Sequence, residues 1–204
     1  MLRVLRIEAI TLEAIESLEL FKDLEEIHIT MNSAVKFEDL LAKMLAELPN
    51  IQRFKLAFDK SAGWQQLQGK FFPCFSFCVK ELELLGFDVA KNFSANINSS
   101  EMPTMEVLNL FSYRPFNLNL SRFLGLRELR LSNVTDLYGL ELLESLEVLE
   151  IQYAINPAHI LQTVLSDKMK SRSTLKHFEV PRCELMGVYF SQGKCQDCQK
   201  TCNM

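Results

Sequence analysis

The chain has 204 residues, 48% of them hydrophobic, a net charge of −4 and a sequence pI near 5.5. That is enough apolar material for one well-buried domain, while the acidic balance offers no general attraction to phosphate backbones or anionic lipid, and no basic run supplies one locally. No uninterrupted apolar stretch approaches the roughly 18 residues of a membrane span; the opening MLRVLRIEAITLEAIESLEL breaks its apolar residues with charge every few positions, unlike a signal peptide.

Taken in chain order, the first predicted element is a short strand at Leu2, Leu5 and Ile7, spaced as L-x-x-L-x-L. Alternation over L-x-L gives a strand with one buried face. The same spacing returns at Leu24, Ile27, Ile29; Ile51, Phe54, Leu56; Val79, Leu82, Leu84; Met105, Leu108, Leu110; Leu126, Leu129, Leu131; Leu146, Leu149, Ile151; and Leu175, Phe178, Val180. First anchors of these eight units are separated by 22, 27, 28, 26, 21, 20 and 29 residues, averaging close to 25. The longer spacings after the second, third and seventh strands leave room for helices, and FEDLLAKMLAELPN (Phe37 to Asn50) spaces its apolar residues at three and four as a helix does. Spacings of 20 and 21 leave room only for a turn, so Leu124 to Gln152 reads as two strands joined by a compressed crossover. Residues 60 to 75 and Tyr113 to Leu120 (YRPFNLNL) carry prolines, with glycines in the first, and read as loops or irregular turns.

A unit of this kind cannot bury its apolar side alone, but stacked units share a core and align their strands as a parallel sheet. Residues 2 to 185 therefore resemble the leucine-rich repeat family, whose pattern is L-x-x-L-x-L-x-x-N/C-x-L. The resemblance implies an α/β fold: a curved horseshoe solenoid with a concave parallel β-sheet and helices or turns on the convex side. The ninth position departs from the family, being Asn32 and Cys183 in two units but Ile10, Asp59, Phe87, Tyr113, Val134 and Ala154 in the others, so an irregular arc is expected. The expected organisation is a repeat domain over 1–190 and a polar, cysteine-containing tail over 191–204. Because the first anchor is residue 2, no cap precedes the first unit, and the chain is expected to be a piece of a longer protein or to pack that end on a partner.

Six cysteines are few for this length, and they read as mostly reduced thiols of a cytosolic or nuclear chain. The N-x-S/T triplets at Asn92, Asn98, Asn119 and Asn133 pull the other way, and would matter if the chain were cut from a secreted one. Cys195, Cys198 and Cys202 have a spacing in which two thiolates could chelate zinc, but a tetrahedral site needs a fourth ligand, from Cys183, His177 or another chain, so no metal or other cofactor is assigned. Gly63 to Lys70 differs from a phosphate loop in its spacing and has Phe71 where a magnesium-binding hydroxyl belongs. His28, His159 and His177 show no H-E-x-x-H spacing and read as exposed side chains without partners; no catalytic group is assigned.

The outward strand positions carry more information. A central column reads Arg6, His28, Lys55, Glu83, Asn109, Arg130, Glu150 and Glu179; it is basic at its start, with Arg53 beside it, and acidic later. A neighbouring column reads Met31, Phe58, Phe111 and Tyr153, taken to face solvent; the alternative is that these side chains fold back onto the sheet. Exposed rings beside charges of both signs suit a protein-binding surface. The expected function is therefore non-enzymatic binding of a protein or peptide, with no nucleic acid or membrane as partner. The family resemblance adds two settings: the substrate-receptor repeats of F-box ubiquitin ligases, or the sensor repeats of intracellular innate immune receptors. Two other classes remain: an enzyme with a loop-borne site near Trp64, Lys70 and nearby cysteines, for which no spacing supports a reaction, and a purely structural repeat that dimerises through its uncapped N-terminal end.

Overall fold

The structure, a computed structural model, describes residues 2–8, 21–31, 37–58, 66–75, 78–100, 102–164 and 174–179, with the backbone of 190–191 and 194–195. In chain order the elements are β1 (Val4–Glu8), β2 (Glu26–Met31), α1 (Glu38–Ala46), β3 (Arg53–Phe58), β4 (Gln66–Leu67), β5 (Glu81–Val89), α2 (Phe93–Ser99), β6 (Val107–Asn119), β7 (Glu128–Tyr138), β8 (Val148–Gln152), α3 (Pro157–Val164) and β9 (His177–Glu179), then β10 (Phe190–Ser191) and β11 (Lys194–Cys195). The fold is α/β. Its main sheet runs β1-β2-β3-β5-β6-β7-β8-β9, each strand parallel to the next, with β4 paired to the far end of β5. Spatial order thus follows chain order. Among the described residues, no helix is long and apolar enough to cross a membrane.

The repeat spacing has a direct structural counterpart. From Leu24 to Ile151 every anchor is 1% exposed or less. The helices bury Leu41, Met44, Leu45, Phe93, Ile97, Ile160 and Val164 in the same cluster, so they pack on the anchor side of the sheet. The ends are less covered: Leu2 is exposed, Leu5, Ile7 and Leu175 are half-buried, and Val180 lies outside the described residues.

Each strand also begins in the same way. The carbonyl of Arg3 accepts the N–H groups of both Glu25 and Glu26, and the motif recurs from Glu25 to Gln52 and Arg53, from Gln52 to Lys80 and Glu81, and onward to Lys176 and His177. Among the described residues it occurs seven times, at 2.7–3.0 Å. Parallel strands otherwise leave their first donors unpaired, and this shared acceptor satisfies them.

Most expected elements form, with differences that have physical causes. The compressed crossover after β7 is a 3-10 turn, Leu140–Leu142. The expected helices after the second and seventh strands are α1 and α3; after the third, the described residues hold β4 and a 3-10 turn at Phe72–Cys74. Unexpected is α2, because FSANINS is poor in strong helix formers. Phe93 and Ile97, four apart and both fully buried, hold it in place by packing. YRPFNLNL is not a loop: β6 runs through it to Asn119. Pro115, which has no N–H to give, lies where the pairing with β7 shifts register between Phe111 and Phe116.

Three of the four asparagines of the N-x-S/T triplets have structural work. Asn98 Oδ1 accepts from the Asn119 N–H at 2.9 Å, Asn119 Oδ1 from the Ser121 N–H at 3.0 Å, and Asn133 Nδ2 donates to the Ser112 carbonyl at 2.7 Å. Gly63, Trp64, Cys183, Cys198 and Cys202 lie outside the described residues, as does the side chain of Cys195; residues 196–204 of the expected tail do so too. Cys74 and Cys78 are free thiols, and burial pushes the Cys74 thiol up. No cluster with metal-ligand composition occurs among the described residues.

Candidate functional site

The face of the sheet opposite the helices is built from alternate strand residues. Its central column is in register from end to end: Arg6 lies beside His28, His28 beside Lys55, then Glu83, Asn109, Arg130, Glu150 and Glu179 in turn. These are the residues expected from the L-x-x-L-x-L spacing. Two further columns flank it. One holds Val4, Glu26, Arg53, Glu81, Val107, Glu128, Val148 and His177; the other holds Glu8, Thr30, Ala57, Leu85, Phe111, Ser132 and Gln152.

The expected aromatic column does not exist as a column. Met31 and Phe58 are 2% and 6% exposed, and their side chains belong to the core. The reason is parity: two residues beyond Ile29 and Leu56, an extended chain returns to the buried face. Phe111 sits one position earlier in its own unit, in register with Leu85 and Ser132, and is half-buried on the open face. Only Tyr153 occupies the equivalent position and faces solvent, at 71% exposure, because its backbone is left-handed (φ 59°). Gly86 (φ 73°) and Asn133 (φ 56°) stand at the same place in their units and do the same. This turn in the backbone reverses the alternation, so the next residues, Phe87 and Val134, enter the core.

Ion pairs divide the open face into two regions. Near β1–β3, Glu26 is the hub, with a side chain only 7% exposed. It accepts from Arg53 Nε at 2.6 Å and Arg6 Nη2 at 3.4 Å, lies 3.2 Å from His28 Nε2, and pairs with the second Arg53 nitrogen. Burial pushes its carboxyl up, but Arg53, His28 and Arg6 together hold it below the ordinary glutamate range. A hollow of about 130 Å³ beside it is lined by Arg6, His28, Thr30, Lys55 and Glu8. Farther along, Lys55 meets Glu83 at 2.8 Å, Arg130 bridges Glu128 at 2.7 Å and Glu150 at 3.1 Å, and His177 lies 3.6 Å from Glu150 and 3.7 Å from Glu179. Two of the histidines have charged partners, His28 and His177 facing carboxylates; His159 lies against the Tyr138 ring at 6.2 Å, and its Nδ1 has no hydrogen-bond partner among the described residues.

A pH test follows from the hub. A carboxyl whose folded pKa is depressed gives stability that is present above its unfolded pKa and lost as pH falls through the folded one. Unfolding midpoints in urea are expected to drop as pH falls below the ordinary glutamate value of 4.5, and Glu26→Gln is expected to lower the midpoint at pH 7 and flatten that decline. An unchanged acid limb in Glu26→Gln would remove Glu26 from this role.

Sequence reasoning missed Glu26, Glu128 and the apolar positions Leu85, Val107 and Val148, although period-two spacing from His28, Arg130, Glu83, Asn109 and Glu150 places them all on the same face. It also missed a second charged row at the residue after each first anchor: Arg3, Glu25, Gln52, Lys80, Glu106, Arg127, Glu147 and Lys176. Its ion pairs are Arg3–Glu25 at 3.5 Å, Lys80–Glu106 at 3.7 Å, and Glu147 with both Arg127 and Lys176 at 2.7 Å. The alternation of sign at that position was the available signal. Off the open face, a hollow of about 310 Å³ at the far ends of β5 and β6 is lined by Val89, Lys91, Ser94, Phe116, Asn117 and Thr135, with Lys91 the one ionisable side chain among its described lining residues. No family model, curated protein or solved structure matches the chain.

Proposed function

We propose that the chain is a non-enzymatic recognition module of the leucine-rich repeat kind, gripping a protein or peptide on the open face of its sheet. The observation that carries this reading is the in-register run of mixed charged, amide and apolar side chains on a face the helices leave open. Support for the repeat architecture comes from the parallel strands in chain order and the sevenfold shared-acceptor bond at their starts. The setting that fits best is a substrate receptor, in which the repeats choose a protein for another domain or subunit to act on; that part rests on resemblance of fold.

The partner contacts are assigned to His28, Lys55, Glu83, Asn109, Phe111, Arg130, Glu150 and Glu179, with Arg6 and Arg53 at the basic end and Tyr153 at the rim. Affinity capture from a cell extract tests it, using the wild-type chain, the open-face variant Phe111→Ala/Arg130→Ala, and Asp39→Ser/Glu47→Ser on the helix side. The expected result is one protein retained by wild type and the helix-side variant and weakened roughly ten-fold or more by the open-face variant. Loss with the helix-side variant alone would move the site to the other surface.

A further inference from the structure

We propose that the open face takes a basic segment, one with lysines or arginines around an apolar side chain, seated over β5 to β9 around Asn109; this rests on the recognition reading above. The outward positions of these five strands carry the carboxylates of Glu81, Glu83, Glu128, Glu150 and Glu179 against a single arginine, Arg130. Internal pairing leaves an excess of negative charge. Lys55 reaches across from β3 to Glu83, and Arg130 is shared between Glu128 and Glu150. Among the described residues, Glu81 has no ion pair and Glu179 only the His177 ring, at 3.7 Å.

Among these acids stand half-buried apolar groups: Leu85, Val107, Phe111 and Val148. A segment whose cations flank an apolar residue matches both, since charge complementarity sets register and the apolar contact excludes water. The centre supplies an independent pointer to a ligand. Asn109, between Glu83 and Arg130 in register, is 8% exposed, and its Oδ1 is buried without a hydrogen-bond partner. Buried polar atoms are almost always paired, and a shift of the side chains that cover this amide would let an N–H donor of the segment reach it. The same charges disfavour other occupants. Phosphate-bearing ligands meet excess negative charge here, and over β1–β3 Arg6 and Arg53 already occupy Glu26, which leaves a basic segment no comparable carboxylate excess at that end.

The test is selection from a random dodecapeptide library displayed on phage, panned on the full chain immobilised by one end, with Glu81→Lys/Glu179→Lys and Asn109→Leu in parallel. Among the described residues, neither Glu81 nor Glu179 pairs with a lysine or arginine, so the charge-reversed variant is expected to unfold like wild type. Peptides selected by wild type are expected to be enriched in Lys and Arg beside an aliphatic or aromatic residue. Synthetic copies are expected to bind the charge-reversed chain at least about ten-fold more weakly at low salt, with the gap narrowing as salt rises. Asn109→Leu is expected to weaken them too, and full affinity there would overturn the placement at Asn109. Selected peptides without a basic bias that are lost with Phe111→Ala/Arg130→Ala would overturn the basic partner and leave the recognition face standing. Peptides indifferent to every open-face change would remove both. Self-association that is broken by charge reversal, with no peptide selected, would make a second copy of the chain the occupant and overturn the proposal.

Discussion

Phe58→Ala is expected to lower the free energy of unfolding by about 3–5 kcal/mol, whereas Tyr153→Ala is expected to change it by less than about 0.5 kcal/mol. The two residues hold the same place relative to the L-x-x-L-x-L spacing, seven residues after the first anchor. They differ in backbone. At Phe58 the strand stays extended, so the ring enters the core, 6% exposed, and its centroid lies 5.6 Å from that of Phe37. Its carbonyl oxygen also lies 3.0 Å from where a Cβ on Gly86 would sit, so the neighbouring unit is fitted closely against it. Truncation removes a buried ring and leaves a cavity that this packing cannot readily close. At Tyr153 the left-handed backbone turns the side chain out, and no packing is lost with it. Urea unfolding of the two variants measures both. Equal, small effects would put Phe58 on the surface; equal, large effects would put Tyr153 in the core.

The second large effect is expected at Phe93. This ring is fully buried, with centroids 5.4 Å from Phe72, 5.2 Å from Phe87 and 5.7 Å from Phe116. It thereby joins α2, the turn before β5, and the far ends of β5 and β6. Because FSANINS has little helical tendency of its own, removing the ring takes away both core area and the reason for α2 to form. Phe93→Ala is expected to cost about 3–5 kcal/mol. Amide hydrogen exchange is expected to show α2 losing protection before the strands do. Retention of α2 protection in a variant destabilised to this extent would show that the helix does not depend on Phe93.

The sheet was legible in the sequence because L-x-x-L-x-L fixes both a strand and its buried parity, and eight copies in register leave little freedom. The central open-face column follows from the same parity, and each of its residues stands where the spacing puts it. What was not legible lies beyond the last anchor of each unit. There the chain either continues extended, as at Met31 and Phe58, or turns left-handed, as at Gly86, Asn133 and Tyr153. Glycine and asparagine announce such a turn, whereas tyrosine does not. α2 was illegible for a different reason, since only tertiary packing of Phe93 and Ile97 explains it. Proline in YRPFNLNL argued for a break, but a register shift next to it lets the strand go on.

The charged row at the strand starts has a consequence for how such a chain can change its length. Read along the sheet, its signs run plus at Arg3, minus at Glu25, neutral at Gln52, then plus, minus, plus, minus, plus from Lys80 to Lys176. Deleting or duplicating one repeat within the alternating part would set like charges side by side; removing or adding two keeps every neighbour opposite. Gln52 is the one place where the phase can be reset. Removing one such unit from the alternating part is therefore expected to lower the urea unfolding midpoint further than removing two, so that one row of side chains sets the step in which the sheet can be shortened.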